Sequence, residues 1–274
     1  MGLVFACISP HGAEVIPELA GEMLDDFAAT REGMKKLVSL MKKQNPETIV
    51  LATPHNLRLE GNIGVVTSEF TEGALKANDK MVELRCVCDR KLARGILGKA
   101  SELKLPVVGV NYGSSEGPAS CMPMDWGTLI PLWFLVKRGN DDLKVVIVTP
   151  SREIPLEELV SFGEVISEVT AASEKRVAFV ASADQGHAHR ADGPYGYNPA
   201  SAEFDQLVKE AVQRNDLRSL LNLLSEFVEN AKPDSLWQLA ILQGVLEHSQ
   251  LVGRLLSYQV PTYYGMLCAA FSPM

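Results

Sequence analysis

Short runs of apolar residues alternate along the chain with longer stretches in which apolar residues recur at helical spacing. Apolar runs of about four to eight residues are too short for helices and indicate buried strands, whereas a recurrence every three to four residues or so indicates a helix with one buried face. Strands are predicted at residues 3–8, 48–52, 64–68, 106–110, 143–148, 176–181 and 263–271. Helices are predicted at residues 17–43, 89–103, 156–172 and 217–228, and further helices start at residues 125, 199 and 233.

This alternation continues without a low-complexity linker, a repeat of fixed period or a break in composition. The pattern favours one α/β domain over residues 1–274, a three-layer αβα fold with a mixed, mostly parallel central sheet. The 64–68 strand is expected to be partly exposed, and residues 111–124, rich in Gly, Ser and Pro, to form a loop. Pro131 is expected in the first turn of the helix that Asp125 opens.

Composition limits the class of protein. The 274 residues are 46% hydrophobic and 22% charged, which is typical of a globular protein with a sizeable core. A net charge of -8 and a pI near 5.2 argue against a general binder of nucleic acid or of anionic membranes. The longest apolar run, residues 129–136, is far shorter than the roughly 20 residues that a membrane helix needs. The first residues lack the basic segment of a secretory signal.

The chain has five cysteines, an odd number, and Cys7, Cys86 and Cys268 lie in apolar surroundings. This usage is typical of a reduced, cytoplasmic protein and not of a disulfide framework. Cys86 and Cys88 could form a metal or redox pair, but no second pair completes a zinc site. Alternation of apolar residues along a strand explains their spacing better.

Four of the five histidines follow strand-like runs. His11 and His55 each come after an apolar strand, a Ser or Thr, and a Pro, and His187 and His189 follow the strand predicted at 176–181. Side chains after neighbouring parallel strands meet at one edge of an open α/β sheet. Imidazole nitrogen binds iron, zinc or copper, although each histidine could instead close its strand by hydrogen-bonding the next loop. The repetition favours a shared metal or catalytic site.

His187 and His189 lie on either side of one residue in an extended segment, so their side chains point to opposite sides. At most one of them faces the shared site, and His187, nearer the strand end, is the predicted one. A two-histidine metal site usually needs a carboxylate as third ligand, as in the facial triads of iron oxygenases. The candidates are Asp125, Asp184 and Asp234. Asp125 and Asp234 are also natural helix N-caps, and composition does not choose among the three.

Five motifs stand in a specific order along most of the chain: Ser9-Pro-His11, Thr53-Pro-His55, Asp125-Trp-Gly127 with Pro131-Leu, Asp184-Gln-Gly-His187 with Gly193-Pro-Tyr-Gly, and Pro261-Thr-Tyr. Their order and spacing resemble the catalytic subunit of class III extradiol ring-cleaving dioxygenases, the protocatechuate 4,5-cleaving type. The resemblance implies a three-layer αβα fold with non-haem Fe(II) at the strand ends. It implies His11 and His55 as metal ligands and His187 as the acid/base histidine.

Two positions depart from the family pattern. Many members have Asp-His-Gly where this chain has Trp126 in the middle position, and we expect Trp126 to form an apolar wall against the substrate ring, with plain core as the alternative. The family's third ligand lies at a set distance before a helix glycine. Counting back from Gly244 reaches Ser235, beside Asp234. Either a small shift lets Asp234 coordinate, which is the assignment we make, or the triad is incomplete.

The resemblance implies an Fe(II)-dependent dioxygenase, with Zn as a second option, that opens a catechol-type ring with O2. Substrate contacts are expected at Asp125, Trp126, His189 and Tyr195. The expected partners are a small aromatic diol, O2, a second copy of the chain in a dimer, and optionally a small accessory subunit; nucleic acid and membrane are not expected. Two alternatives stay open: a non-enzymatic relative, similar to the Memo family, that binds a metal or ligand, and a zinc-dependent enzyme on the same ligands.

Overall fold

An eight-stranded sheet forms the centre of the protein. The structure, a computed structural model, describes residues 2–137 and 143–274. Over these residues the large sheet has the order β10-β11-β1-β9-β2-β8-β3-β6, and a three-stranded sheet has the order β5-β4-β7. The strands are β1 Gly2–Ser9, β2 Thr48–Ala52, β3 Ile63–Val66, β4 Phe70–Ala77, β5 Lys80–Val87, β6 Val107–Val110, β7 Cys121–Pro123, β8 Lys144–Thr149, β9 Arg176–Ser182, β10 Val252–Gln259 and β11 Met266–Ser272.

The helices lie in the connections between these strands. They are α1 Pro17–Ala20, α2 Ala28–Gln44, α3 Arg90–Glu102, α4 Trp126–Leu132, α5 Leu156–Ala172, α6 Ala200–Arg214, α7 Ser225–Ala231 and α8 Leu236–Leu246. Short 3₁₀ segments lie at Ala13–Val15, Gly21–Met23 and Leu217–Asn222, and a π-helical turn at Trp133–Lys137 follows α4. No helix of the described residues is both long and apolar enough to cross a membrane.

Alternate side chains of the central strands point into two separate cores. On β2, Val50 and Ala52 pack against the layer that contains α3, α5, α6, α7 and α8. Ile49 and Leu51 pack against the opposite layer, which contains α1, α2, α4 and the small sheet. All four side chains are fully buried. The sheet is therefore covered on both faces, and the predicted three-layer architecture is confirmed.

Four parallel strands in the middle of the sheet determine where a site can form. β1, β9, β2 and β8 are neighbours in this order and pair in parallel. The chain leaves them at Ser9, Ser182, Ala52 and Thr149, so these four ends lie at one edge of the sheet. All three histidine-bearing turns follow strands of this block, as the sequence predicted.

The predicted strands are present with small shifts at their ends, but β4, β7, β10 and most of β5 lie where none was predicted. β4 and β5 carry exposed charged residues on one face, which hides the apolar alternation. Their turn has positive φ angles at Asn78 (50°) and Asp79 (57°), which suits a two-residue hairpin. The 64–68 strand was expected to be partly exposed, and this is correct only at Thr67 and wrong for the other four residues. β3 is buried throughout because β8 and β6 flank it in the sheet.

Two predicted helices are interrupted. The 17–43 helix is divided after α1, because Gly21 has a φ of 55° that an α-helix does not accommodate. The 217–228 helix is also wrong, since the 3₁₀ segment ends and Leu223 and Leu224 are extended before α7 begins. The predicted start of α3 is confirmed, because the Asp89 side chain accepts a hydrogen bond from the Leu92 N–H.

Two glycines let α5 and α8 touch through their backbones. A Cβ atom added at Gly163 would lie 2.1 Å from the Ile241 carbonyl oxygen, and one at Gly244 would lie 1.9 Å from the Val160 carbonyl oxygen. Any larger residue would force the two helices apart. Because α8 begins directly after Asp234 and Ser235, this contact also determines how deeply Asp234 lies.

Candidate metal centre and active site

Two histidines and one aspartate meet at the edge of the sheet where the parallel strands end. The His11 Nε2 atom lies 3.2 Å from His55 Nε2 and 3.1 Å from Asp234 Oδ2, and His55 Nε2 lies 3.6 Å from the same oxygen. All three ligand atoms fall within 4.8 Å of one another. His11 and Asp234 are buried, and His55 is partly exposed. The geometry thus brings together the three residues that the sequence predicted as ligands.

Hydrogen bonds fix which nitrogen of His11 faces the group. The Ser182 hydroxyl donates to the Gly127 carbonyl oxygen at 2.5 Å, so its oxygen is left to accept from His11 Nδ1 at 3.0 Å. We therefore assign the proton of the neutral imidazole to Nδ1, so that Nε2 is the nitrogen that faces His55 and Asp234 and that can hold either a second proton or a metal ion. A metal-binding histidine is normally oriented in this way, by a hydrogen bond from the ring N–H that does not face the metal.

Pro131 explains why the Gly127 carbonyl oxygen is free to accept the hydrogen bond from Ser182. It lies inside α4 and not in its first turn as predicted, so that prediction is wrong. In an α-helix the carbonyl of Gly127 would accept from the N–H of the residue four positions later, and that residue is Pro131, which has no N–H. The Ser182 hydroxyl takes the place of the missing donor.

The turn that carries His55 is held by Asp125 and by a close approach of Gly127. Asp125 Oδ1 accepts from the Thr128 N–H at 2.6 Å, and its Oδ2 accepts from the Thr53 hydroxyl at 3.1 Å. A Cβ on Gly127 would lie 2.6 Å from Thr53 Oγ1 and 3.0 Å from His55 Cδ2. The cap function of Asp125 is confirmed. Both carboxylate oxygens of Asp125 already accept hydrogen bonds within the protein. The predicted contact of Asp125 with substrate stays a prediction.

Asp234 does not cap α8. Ser235 occupies the N-cap position without a side-chain cap bond, and Asp234 Oδ1 instead accepts from the Asp184 N–H at 3.0 Å. Asp184 in turn accepts from the His11 N–H at 3.2 Å, with its Oδ2 3.4 Å from His11 Nε2. Of the three carboxylates that the sequence left open, Asp234 joins the metal-binding group, and Asp184 lies buried next to the same His11 nitrogen.

The metal-binding group contains a buried carboxylate whose negative charge is stabilised by the neighbouring histidines. Burial opposes ionisation of Asp234, yet its neighbours His11, His55 and His187 hold its pKa well below the usual range. Burial lowers the pKa of His11, but Asp184 and Asp234 more than offset this and raise it to about 9. Burial raises the pKa of Asp184 to about 7, with His11 opposing the rise.

This donor set fits a divalent metal ion. Among the described residues, only histidine nitrogens come within ion-pair distance of Asp184 and Asp234. Buried carboxylates need a positive partner, and a proton on His11 fills that role when no metal is bound, which accounts for its raised pKa. Two imidazoles and one carboxylate are the ligands of non-haem Fe(II) oxygenases, and zinc also accepts them.

His187 faces the same group from the loop after β9. Its Nδ1 lies 2.7 Å from the Gln185 carbonyl oxygen, which can only accept, so Nδ1 carries a proton. The unprotonated Nε2 lies 3.9 Å from Asp234 Oδ2. Burial lowers the pKa of His187, although Asp234 opposes this. The imidazole is therefore neutral near pH 7, with a lone pair directed towards the site.

His189 points the other way, as predicted. Its Nε2 lies 2.9 Å from Asp205 Oδ2, which also accepts from the Tyr258 hydroxyl at 2.8 Å. Asp205 Oδ1 accepts from the Gly186 N–H at 2.7 Å. Asp205 thus fastens the loop on both sides of His187, and the structure does not bring His189 to the metal-binding group.

Aromatic rings line the open side of the centre. The Tyr264 ring stacks on His187 at 5.3 Å between centroids, and Tyr195 and Tyr263 each lie 6.0 Å from it. Trp126 lies 4.2 Å from the His55 ring and is 48% exposed, so the plain-core alternative for Trp126 is wrong. The two tyrosines before β11 were not predicted as site residues. Their only signal was the Pro-Thr-Tyr motif that begins at residue 261.

Comparison with known proteins agrees with this geometry. The profile of the family described as "Catalytic LigB subunit of aromatic ring-opening dioxygenase" matches residues 5–268. The chain is 26% identical over 253 residues to Protein CA_C1420 of Clostridium acetobutylicum, which covers 91% of this chain and 53% of that protein. The chain therefore spans about half the length of this curated relative.

Among solved structures, the chain is similar to the uncharacterized protein JW3007 from Escherichia coli K12. The TM-score is 0.62 at 16% sequence identity, and the match covers 97% of this chain and 99% of that chain. At this identity the similarity shows the fold alone, and it agrees with a three-layer α/β architecture.

Proposed function

Because this chain belongs to the family of catalytic LigB subunits of aromatic ring-opening dioxygenases, we propose that it is an Fe(II)-dependent extradiol dioxygenase of catechol-type substrates. The observation that carries the proposal is the meeting of His11 Nε2, His55 Nε2 and Asp234 Oδ2 within 4.8 Å beside an open, aromatic-lined face. Zn is the second candidate for the same ligands, and the ring-cleavage chemistry separates the two metals.

The three ligands would hold the metal on one side and leave its other positions to substrate. Bound Fe(II) would supply coordination positions for both substrate oxygens and for O2, and would lower the pKa of a coordinated hydroxyl. His11 is oriented by Ser182 and His55 by the Thr53 turn, so the chain positions the ligands before any substrate arrives. Trp126, which is 48% exposed beside His55, would supply a flat surface for an aromatic ring, and the buried Tyr264 supports the His187 imidazole by stacking on it.

His187 is the residue suited to move a proton. Its Nδ1–H is committed to the Gln185 carbonyl, so only Nε2 is available to accept the proton of the second substrate hydroxyl. The lowered pKa keeps this nitrogen unprotonated near pH 7, and the same nitrogen returns the proton when the ring opens. Both atoms of O2 enter the product and the ring supplies the electrons, so no further reductant is needed.

The test is O2 consumption by protein loaded with Fe(II) without air, followed by addition of catechol or 3,4-dihydroxybenzoate. We expect substrate-dependent O2 uptake and the absorbance of a ring-opened product. His187→Ala should keep its iron and bind catechol, yet cleave it about 10²- to 10⁴-fold more slowly, the usual contribution of a general acid/base. His248→Ala is the matched control, because His248 is exposed in the turn after α8.

Four outcomes would contradict parts of the proposal. Iron loss in His187→Ala would make His187 a ligand, and normal cleavage by that variant would remove its acid/base role. Full catechol binding with Fe(II) but no O2 uptake would favour the non-enzymatic alternative. Activity that appears with Zn and does not consume O2 would favour the zinc-dependent one.

A further inference from the structure

The segment that carries His187 is held at every backbone N–H group from residue 184 to residue 189. In chain order these six groups donate to Asp234 Oδ1, the Gly265 carbonyl, Asp205 Oδ1, the Ala231 carbonyl, Ser201 Oγ and the Tyr263 carbonyl. The donor–acceptor distances lie between 2.7 and 3.2 Å. Two of the six acceptors are carboxylates. Asp234 belongs to the metal-binding group, which leaves Asp205 as a carboxylate whose role lies elsewhere.

Asp205 is fully buried on α6 and accepts hydrogen bonds from three donors. Its Oδ1 accepts from the Gly186 N–H at 2.7 Å, and its Oδ2 accepts from the Tyr258 hydroxyl at 2.8 Å. The same Oδ2 lies 2.9 Å from His189 Nε2. An ionised carboxylate only accepts, so His189 Nε2 carries the proton of this bond. Bonds to an ionised acceptor are roughly twice as strong as neutral ones, so Asp205 is the strongest single support of the loop.

The packing around Asp205 leaves the turn before His187 no room to move. A Cβ atom added at Gly186 would lie 2.7 Å from Ser201 Cα, so α6 packs directly against the backbone of this turn. A Cβ added at Gly265 would collide with Asp205 Oδ2. Gly186 is bonded to Asp205 through its N–H and to the Gly265 N–H through its carbonyl oxygen. Loss of the carboxylate would therefore release the residue that precedes His187 and displace its ring.

We propose that Asp205 is a positioning residue that directs His187 Nε2 at the substrate, and that His189 supports the reaction as the hydrogen-bond partner of Asp205. The reaction itself rests on the proposed function, whereas the control of His187 by Asp205 rests on the contacts around the loop. Displacement of a reacting group by about 1 Å costs on the order of 10²-fold in rate, even when the altered residue is far from the chemistry. His189 thereby gains a role in place of direct contact with substrate.

The kinetic test compares steady-state O2 uptake by Fe(II)-loaded variants with catechol as substrate. Asp205→Ala should keep its iron and its KM for catechol, and should lower kcat about 10- to 100-fold. The double variant His187→Ala/Asp205→Ala should cleave catechol no more slowly than His187→Ala alone, because two residues that act as one unit have non-additive effects. A general loss of folding would lower the rate again in the double variant.

His189 is tested with two substitutions. His189→Gln keeps an N–H group for Asp205 and should cleave nearly as fast as wild type, whereas His189→Ala should lose rate with Asp205→Ala. Equal losses in the two His189 variants would remove His189 from the proposal. Glu203→Gln is the matched control, because Glu203 is exposed on the same helix. If Asp205→Ala does not fold, Asp205→Asn decides, and it should show a smaller loss of kcat that also vanishes in the His187→Ala background.

A readout on the metal-free protein separates this proposal from the proposed function. The ¹⁵N NMR signals of the imidazole nitrogens report which ring nitrogen of His187 carries the proton. Wild type and Glu203→Gln should show the Nδ1–H form that the Gln185 carbonyl holds, and Asp205→Ala should show a mixture of both forms.

The wild-type form in Asp205→Ala would overturn the proposal, and so would additive losses of rate in the double variant. If Fe(II)-loaded wild type cleaves no catechol, the proposed function fails and the NMR comparison alone decides whether Asp205 positions His187.

Discussion

At the scale of single residues, His11 shows how a candidate metal ligand is oriented by groups that lie outside the candidate metal centre. Its Nδ1–H donates to Ser182, whose hydroxyl donates to a carbonyl that Pro131 leaves without a helical partner. All of these residues are more than 50 positions away from His11 in the sequence, and only the fold brings them together. The histidines could be predicted because each ends a strand, whereas the chain Ser182–Gly127 could not, because it depends on β9 lying next to β1.

Gly127→Ala tests the close approach to His55. The added Cβ would lie 2.6 Å from Thr53 Oγ1, so the turn and His55 must move. We expect a loss of metal affinity and a stability cost of about 1–3 kcal/mol, as for other overpacked sites. Gly98→Ala is the control, because its Cβ would meet nothing within 4 Å on a helix. That variant should gain about 0.5–1 kcal/mol and keep its metal affinity. Identical behaviour of the two variants in urea unfolding and metal titration would contradict the argument.

Asp234→Asn separates a metal ligand from a structural hydrogen bond. The amide oxygen can still accept from the Asp184 N–H, but the negative charge beside His11 and His55 is lost. Metal affinity should fall by at least the roughly 10- to 100-fold that loss of an indirect partner causes. The metal-free protein should also lose stability, by up to roughly 3–5 kcal/mol, because the protonated His11 loses a buried charged partner. Asp205→Asn, another buried aspartate, should keep the metal. Calorimetric titration that finds equal affinity in wild type and Asp234→Asn would exclude Asp234 as a ligand.

At the scale of elements, Asp89 joins three of them at the edge of the sheet opposite the metal centre. It caps α3 through the Leu92 N–H, accepts from the Thr48 hydroxyl at the start of β2 at 2.8 Å, and pairs with Lys175 just before β9. The cap was predicted from the sequence. The other two bonds were not, because they depend on which strands are neighbours.

Asp89→Ala should cost roughly 2–3 kcal/mol, the sum expected for a cap and a buried charged partner. Burial raises the pKa of Asp89, but Lys175, Thr48 and Leu92 outweigh it, and the folded pKa lies below the ordinary value. Its contribution is therefore complete above the unfolded pKa of about 4 and is lost as the pH falls through the folded value. Urea unfolding should show the wild-type advantage at pH 7 and a smaller one below pH 4. Exposed Glu102→Ala on the same helix is the control, and an advantage that does not change with pH would reject the charge argument.

The elements that sequence patterns missed share a physical cause. β4 and β5 expose charged side chains on one face, and β10, at the edge of the large sheet, is only partly buried. Neither place produces the continuous apolar run of a central strand such as β2. Tyr263 and Tyr264 were missed for a related reason, since their position against His187 appears only when the loop before β11 is placed beside the loop after β9.

At the scale of the whole molecule, metal binding should stabilise the fold, because the ligands come from segments far apart in sequence. At a metal concentration about 100 times the Kd, binding adds about 2.7 kcal/mol to the stability of the folded state. For a protein of this size that corresponds to a rise in Tm of roughly 5–10 °C. Differential scanning calorimetry with Fe(II) without air, or with Zn, should show the rise in wild type and lose it in His55→Ala. A rise of equal size in His55→Ala would mean that the metal binds elsewhere.

The order of strands in the sheet also affects how the chain can fold while it is being synthesised. β1 is synthesised first, yet both of its neighbours, β9 and β11, are made more than 160 residues later. At translation rates of about 5–20 residues per second, its apolar segment waits on the order of 10 s or longer before either partner exists. β2 and β8, which pair with each other, are complete sooner. The nascent chain must therefore keep β1 unpaired while the middle of the sheet forms, and an apolar strand without partners is open to aggregation during that time.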